Sequence, residues 1–193
     1  MQSLSSSSAE SGLLAEKFHE SGINGFFRIM SANLHQQNGL ADRKANIMIS
    51  INTVVLSLLI GSMARNIEYW QNLLLPITFL VSTSLTTTVF AVLATRPRLI
   101  RGHVSKETIQ NRTAQLLFFG NFTTLSLEEY EETMMTVLKD DDYLYRSVLR
   151  DFYAQGVILN RKYRLLHLSY NAFLFGMITS VVSFGVWLWV SKI

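Results

Sequence analysis

The chain has 193 residues, of which 49% are hydrophobic and only 16% are charged, and it contains no cysteine. Charged residues make up about 25% of an ordinary soluble domain, so this composition favours a small membrane protein. The lack of cysteine excludes disulfide bonds and thiolate metal sites. The formal net charge of +3 comes mainly from Lys and Arg beside apolar runs. We interpret it as a sign of membrane topology and not of nucleic-acid binding.

The N-terminal residues 1–22 begin with a serine-rich polar stretch and predict a disordered tail. Residues 23–44 follow with apolar side chains at helical spacing, so they predict a helix outside the membrane that leads into the first apolar run. The apolar positions are Ile23, Phe26, Phe27, Met30 and Leu34.

Three uncharged runs are long enough to cross a bilayer, which takes about 20 apolar residues in a helix. They cover residues 45–63, 73–94 and 168–190, and residues 64–72 between the first two form a predicted outer loop. The sequence therefore predicts an all-α membrane protein with three transmembrane helices.

Each predicted span carries small and hydroxyl residues three or four positions apart, which places them on one helix face. Such residues allow membrane helices to pack closely, which is the more common explanation, or they line a water-filled pathway shared by several subunits. Both interpretations stay open. The stripes are Asn46, Ser50, Thr53, Ser57 and Gly61 in the first span, Thr78, Ser82 and Thr86 with Thr83 and Thr87 beside them in the second, and Gly176, Ser180 and Ser183 in the third.

Residues 95–167 are predicted to be a helical region outside the membrane. Ser126 and Glu129 have the spacing of a capping box at a helix start. The three aspartates at 140–142 then predict the end of that helix and the cap of the next one. From Tyr143 the apolar periodicity runs into the third span without proline, which predicts one helix about 70 Å long. Two helices are thus expected to continue from the membrane into the cytoplasm.

Lys and Arg are divided unevenly between the two sides of the predicted membrane, with 15 of the 17 before the first span or between the second and third. The positive-inside rule puts these segments in the cytoplasm. The N-terminus is then cytoplasmic and the C-terminus lies outside. Trp70, Trp187 and Trp189 all fall on the outer side, where tryptophan is typical of the membrane interface.

No catalytic constellation is visible in the sequence, which lacks a glycine-rich phosphate loop, an HExxH pattern and a nucleophile elbow. The four histidines are far apart, and the glutamates at 128–132 are explained as the charged start of a helix. We therefore expect no enzyme activity, no catalytic residue, no metal site and no resident cofactor.

Two basic clusters precede the first and third spans at similar distances, so they should lie at the same depth. Arg43 and Lys44 form one cluster, and Arg161, Lys162 and Arg164 form the other. Residues of this kind at a membrane edge commonly contact lipid head groups. Together they can also bind a small phosphate ligand, and they are the candidate ligand-binding residues.

Three segments resemble the membrane effectors of Pycsar, a bacterial antiphage system, which form the PycTM family. They are residues 38–46 (NGLADRKAN), 117–122 (LFFGNF) and 161–164 (RKYR), and the resemblance extends over roughly residues 23–190. It implies an effector in the bacterial inner membrane that responds to cyclic CMP or cyclic UMP made by a partner pyrimidine nucleotide cyclase. The response would disrupt the membrane and cause abortive infection.

We therefore expect a nucleotide-triggered antiviral effector that forms homo-oligomers through its long helices. Its partners would be the lipid bilayer and the cyclase, through the diffusible nucleotide, with no role for nucleic acid. A non-conducting membrane anchor or scaffold is the alternative function. A small transporter is less favoured, because no charged side chain lies within a predicted span.

Overall fold

The computed structural model describes residues 2–64, 73–97, 106–112, 116 and 119–190. The regular secondary structure in these ranges is entirely helical. In chain order the helices are α1 (Gln2–Met63), α2 (Leu74–Thr95), α3 (Lys106–Gln110), α4 (Phe119–Phe122), α5 (Leu127–Leu138) and α6 (Asp141–Val190).

Within the described residues, α1, α2 and α6 are long and apolar enough to cross a membrane. Helices α1 and α6 have 62 and 50 residues, which makes them about 93 and 75 Å long. Both lengths exceed twice the thickness of the hydrocarbon core, about 30 Å. The predicted class, with three spans of which two continue beyond the membrane, is confirmed.

The N-terminal segment differs from its prediction, because α1 is already helical from Gln2. The serine-rich composition of residues 1–22 suggested a disordered tail. The segment has no proline, and its second half contains good helix formers such as Leu13, Ala15 and Glu16. The predicted outer loop at 64–72, including Trp70, lies outside the described residues apart from Ala64 and so stays a prediction.

The three spans pack around a core of small and medium side chains. Alanines on α1 and α2 let the helices approach closely, and Met48 and Leu166 fill the space between them. Because α2 runs opposite to α1 and α6, the end of α2 packs against the beginnings of the other two spans. The buried residues of this core are Ala41, Ala45, Met48, Ala91, Ala94 and Leu166.

The α2–α6 contact depends on small residues of α6. The Ser180 hydroxyl lies 3.5 Å from the backbone oxygen of Pro76. Gly176 is buried against Thr83, and a Cβ added at Gly176 would overlap the Cβ and Oγ1 atoms of Thr83. The third-span stripe therefore serves helix packing within the chain at these two positions.

Helices α3 and α5 pack against the start of α6 around the buried residues Leu116, Val137 and Tyr143. Phe122 of α4 packs on Tyr130 of α5, and we call α3, α4 and α5 the cap. The predicted capping box is present: the Glu129 amide donates to Ser126 Oγ at 3.2 Å, and the Ser126 amide donates to Glu129 Oε2 at 3.1 Å. Asp140 Oδ1 accepts from the Tyr143 amide, and α6 begins at the next residue, Asp141. The predicted break at the aspartates is therefore confirmed.

We expect Gly176→Ala to destabilise the protein, because the added methyl group must push Thr83 and α2 away from α6. Overpacking of a tight contact costs about 1–3 kcal/mol, so the unfolding temperature in detergent, followed by circular dichroism, should fall. Gly185→Ala is the matched control on the same helix, since nothing lies within 4 Å of its added Cβ. Equal unfolding temperatures for the two variants would contradict the close α2–α6 contact.

Candidate functional site

Helices α1 and α6 are held together at the edge of the apolar region by a partly buried ion pair. Lys162 Nζ lies 2.8 Å from Asp42 Oδ1 and donates to Asn38 Oδ1 at 2.7 Å. Only 16% of the Lys162 side chain is exposed. One lysine therefore bridges two successive turns of α1 just before both helices enter the membrane.

Tyr163 adds a second link between the same helices. Its hydroxyl donates to Gln37 Oε1 at 2.9 Å, and Lys44 Nζ lies 5.8 Å from the centroid of its ring. The second contact has the geometry of a cation–π interaction. We call Gln37, Asn38, Asp42, Lys44, Lys162 and Tyr163 the membrane-edge cluster.

The two predicted basic clusters lie at the same level, but their members differ in whether they contact other residues of the chain. Lys162 is paired with Asp42 and Lys44 lies over Tyr163, so both lysines are engaged within the chain. Arg43, Arg161 and Arg164 are exposed, and they form no ion pair with any described residue. A ligand role for these five residues stays a prediction.

Sequence reasoning overlooked Asp42 as a partner within the cluster. Asp42 directly precedes Arg43 in the run that drew attention to the basic residues. A carboxylate there neutralises a lysine from the other helix, so the site is less positive than the count of basic residues suggests.

Beyond the membrane edge, α1 and α6 continue side by side. We call residues 21–44 of α1 together with residues 141–167 of α6 the arm. The ring of Phe27 stacks on Tyr145 with centroids 5.7 Å apart and lies 5.9 Å from Phe152. These contacts cover part of the apolar stripe of α6, and an apolar stripe outside the membrane is stable only when another element covers it.

The middle of the arm holds an incompletely satisfied carboxyl group. Gln155 Nε2 donates to Asp151 Oδ2 at 2.7 Å, whereas no described residue forms a hydrogen bond with the buried Oδ1 atom. Burial raises the pKa of the Asp151 carboxyl, and the Gln155 hydrogen bond and the nearby His35 act in the opposite direction. One turn earlier, Ser147 Oγ is also buried without a partner among the described residues. The one feature of the sequence that could have indicated this site is an acidic residue, Asp151, within a stretch of apolar periodicity.

The predicted polar stripe of the first span lies on the exposed face of α1. All five of its members are exposed, and they are Asn46, Ser50, Thr53, Ser57 and Gly61. The buried positions of α1 are Ala41, Ala45, Met48 and Asn52. At 100° per residue these sit on nearly the opposite side of the helix. The stripe therefore packs against neither α2 nor α6 within one chain.

The predicted polar residues of the second span lie partly on its exposed face and partly on its buried face. Thr78, Ser82 and Thr86 are exposed, whereas Thr87 is buried and Thr83 partly so. Thr78 and Thr86 satisfy their hydroxyls by donating to the backbone oxygens of Leu74 and Ser82. Hydroxyls bonded in this way can face lipid at little cost, so an exposed threonine in α2 is not by itself evidence of a wet pathway.

Three fully buried polar side chains inside the bundle were not predicted as a group. Asn52 on α1, Thr87 on α2 and Ser169 on α6 are each 0% exposed. Asn52 Oδ1 and Thr87 Oγ1 have no hydrogen-bond partner in the part of the chain that the structure describes. A buried group left unsatisfied costs about 1–3 kcal/mol. The sequence shows that these residues lie within spans, but not that all three turn towards the interior of the bundle.

We expect Asp151→Asn to stabilise the protein at neutral pH. The pKa of Asp151 is raised from its ordinary value of 3.8, so its protonated form stabilises the fold. That stabilisation is fully present below pH 3.8 and is lost as pH rises through the raised pKa. Asparagine stays neutral, so the variant should unfold at a higher temperature than the unmodified protein at pH 7. This gap in unfolding temperature should narrow towards pH 4.

Thermal unfolding in detergent between pH 4 and pH 8 measures this gap. Glu131→Gln, which neutralises an exposed carboxylate on α5, is the control and should show a small gap that does not follow the same pH profile. A gap for Asp151→Asn that widens as the pH falls would contradict the burial of this carboxyl.

A family model described as the Pycsar effector protein domain matches residues 26–189, which include the membrane-edge cluster and the apolar parts of all three spans. No curated protein and no solved structure gives a significant match to the chain. The family is not a known class of enzymes. The chain belongs to the Pycsar effector family of antiphage proteins.

Proposed function

We propose that the protein is a membrane effector switched on by cyclic CMP or cyclic UMP and that, once switched on, it disrupts the inner membrane. The nucleotide would come from a partner cyclase, and the result would be abortive infection. The observation that carries this proposal is that α1 and α6 run unbroken from the arm into the membrane. A rigid helix transmits a displacement at one end to the other.

The proposed orientation places the arm and the cap in the cytoplasm and the C-terminus in the periplasm. It is supported by the concentration of Lys and Arg before the first span and between the second and third. A nucleotide made in the cytoplasm would then have direct access to the membrane-edge cluster.

The membrane-edge cluster offers a physical route from ligand to helix movement. A cyclic phosphate carries a negative charge, and the exposed guanidinium groups of Arg43, Arg161 and Arg164, which neighbour the cluster, would attract it. A phosphate bound there would compete with Asp42 for Lys162, which bridges α1 and α6. Nucleotide binding would thereby weaken the tie between the two helices at the point where they enter the membrane.

The membrane step requires several copies of the chain, because three helices enclose no conduit. Each copy presents the polar stripe of α1 on an exposed face. Lipid gives hydroxyl and amide groups no hydrogen-bond partners, so contact between stripes of neighbouring copies is favourable. We propose that a homo-oligomer brings these stripes together and that they line or stabilise a leak for water and ions.

Nucleotide binding tests the proposed trigger. Arg161→Ala combined with Arg164→Ala should weaken the binding of cyclic CMP or cyclic UMP to the solubilised protein by at least about tenfold, since a charge-assisted hydrogen bond contributes about 1.5–3 kcal/mol. Isothermal titration measures the affinity. Arg146→Ala, an exposed arginine of α6 paired with Asp142 far from the membrane edge, is the control.

The measurement tests separately where the nucleotide binds and whether it binds at all. Unchanged affinity in the double variant would contradict a site at the membrane edge. An unmodified protein that binds neither nucleotide would contradict the trigger itself.

Leakage from liposomes tests the membrane step. With correctly inserted protein, the activating nucleotide should release an entrapped dye, and Ser50→Leu or Thr53→Leu should slow the release several-fold because each replaces a polar group of the stripe. Ser82→Leu, an equally exposed position on α2, is the matched control. If no dye is released with either nucleotide, the protein is instead the non-conducting anchor.

A further inference from the structure

Thr87 and Ser169 lie at one level in the interior of the three-helix bundle, and Asn52 is buried about one helical turn further out on α1. We call these three residues the polar layer. Each comes from a different span and is fully buried. Ser169 Oγ donates to the backbone oxygen of Thr87 at 2.9 Å, which fixes the level of α2 against α6. Each member follows a core residue by one turn in the outward direction. These core residues are Met48, Ala91 and Leu166.

Hydrogen bonding within the polar layer is incomplete. Asn52 Nδ2 donates to the backbone oxygen of Met48 at 2.8 Å, but Asn52 Oδ1 has no hydrogen-bond partner among the described residues. Within the same residues, Thr87 Oγ1 also has none. Its neighbours Thr83, Thr86 and Thr88 all donate to the carbonyl four residues earlier. Thr87 is therefore unlike its neighbours, and the lipid around the bundle supplies no alternative partner.

The polar layer separates a tightly packed region from an open one. On one side, alanines of α1 and α2 close the bundle. On the other side, the outer halves of the spans leave an almost wholly apolar cavity of about 390 Å³. Its lining includes Leu59 of α1, Ile77 and Leu80 of α2, and Met177 of α6. This cavity lies next to the polar layer, so separation of α1 at this level would expose the layer.

We propose that the polar layer is a hydration site and that it acts as a gate by controlling how readily α1 separates from α2 and α6. When α1 separates from α2 and α6, water binds to Asn52 Oδ1 and Thr87 Oγ1 and satisfies both atoms. Hydration therefore offsets part of the cost of opening, which makes the closed bundle easier to open than an apolar one. The inference rests on the proposed function, since it concerns the same membrane step.

Thiol labelling measures access of water to the layer. The chain contains no cysteine, so Thr87→Cys introduces the sole thiol at the position of the unpartnered hydroxyl. A membrane-impermeant methanethiosulfonate reagent reacts with the thiolate, which forms in water. In liposomes without nucleotide, adding Asn52→Leu should slow the labelling of this cysteine about tenfold, because leucine has a similar size and cannot bind water.

Asn46→Leu is the matched control, since Asn46 is an exposed asparagine on the other face of the same helix. It should leave the labelling rate unchanged. An equal or faster rate in the Asn52→Leu variant would overturn the proposal.

Thermal unfolding gives a second test that does not depend on Asn52→Leu. Thr87→Val keeps the side-chain shape and removes the unpartnered hydroxyl, so the unfolding temperature should rise. Thr86→Val, at the adjacent exposed position, is the control and should change it little. A lower unfolding temperature for Thr87→Val would show that the hydroxyl is already engaged and would overturn the proposal.

The two proposals fail in different ways. If neither nucleotide causes leakage while the labelling and stability differences are found, the hydration site stands and the proposed function fails. If leakage is normal and Asn52→Leu changes neither leakage nor labelling, the gate is overturned and the proposed function stands.

Discussion

The ion pair between Lys162 and Asp42 sets the register of the two longest helices. Because Lys162 also reaches Asn38 one turn away, α6 cannot slide along α1 without losing a contact. This register places Leu166 of α6 against the alanines of α1. On the other side of the cluster it places Phe27 between Tyr145 and Phe152. The same register of α1 and α6 thus accounts for the ion pair, the aromatic contacts of the arm and the core of the bundle.

Such a contact is well suited to regulation. Desolvation offsets much of the attraction in a partly buried ion pair, so its net contribution to stability is small, whereas loss of one partner is costly. An anion that takes over Lys162 leaves Asp42 without its partner. In the proposed mechanism, a change in register would reach the polar layer through the continuous helix α1, which contributes both Asp42 and Asn52. The proposed trigger and gate are therefore ten residues apart on a single element.

Features that depend on the length of an apolar run or on a few neighbouring residues could be predicted from the sequence. The spans were visible as uncharged runs, the start of α5 as a capping box, and the start of α6 as a run of aspartates. These depend on neighbouring residues alone. The direction in which a helix face points depends on its packing partners, and one sequence does not contain that information.

The first span illustrates the difference. Periodicity correctly grouped Asn46, Ser50 and Thr53 on one face, yet it was the face turned away from the bundle. Asn52 lies on the inward face of α1 together with Ala41, Ala45 and Met48. Alanine and methionine are common in any apolar run, so the sequence did not indicate that this face is the buried one. At the membrane edge, similarly, the sequence placed the basic residues at one depth but did not show which of them Asp42 would neutralise.

The proposed trigger requires that a bound nucleotide moves α1 relative to α6 at the membrane edge. Gln36 and Asn160 are exposed on the two helices close to the cluster, and the chain is free of cysteine, so spin labels can be attached at Gln36→Cys and Asn160→Cys. Pulsed electron resonance in liposomes then measures the distance between them. We expect a shift of at least about 2 Å when cyclic CMP or cyclic UMP binds, the scale of helix shifts in switching proteins. An unchanged distance with nucleotide bound would contradict it.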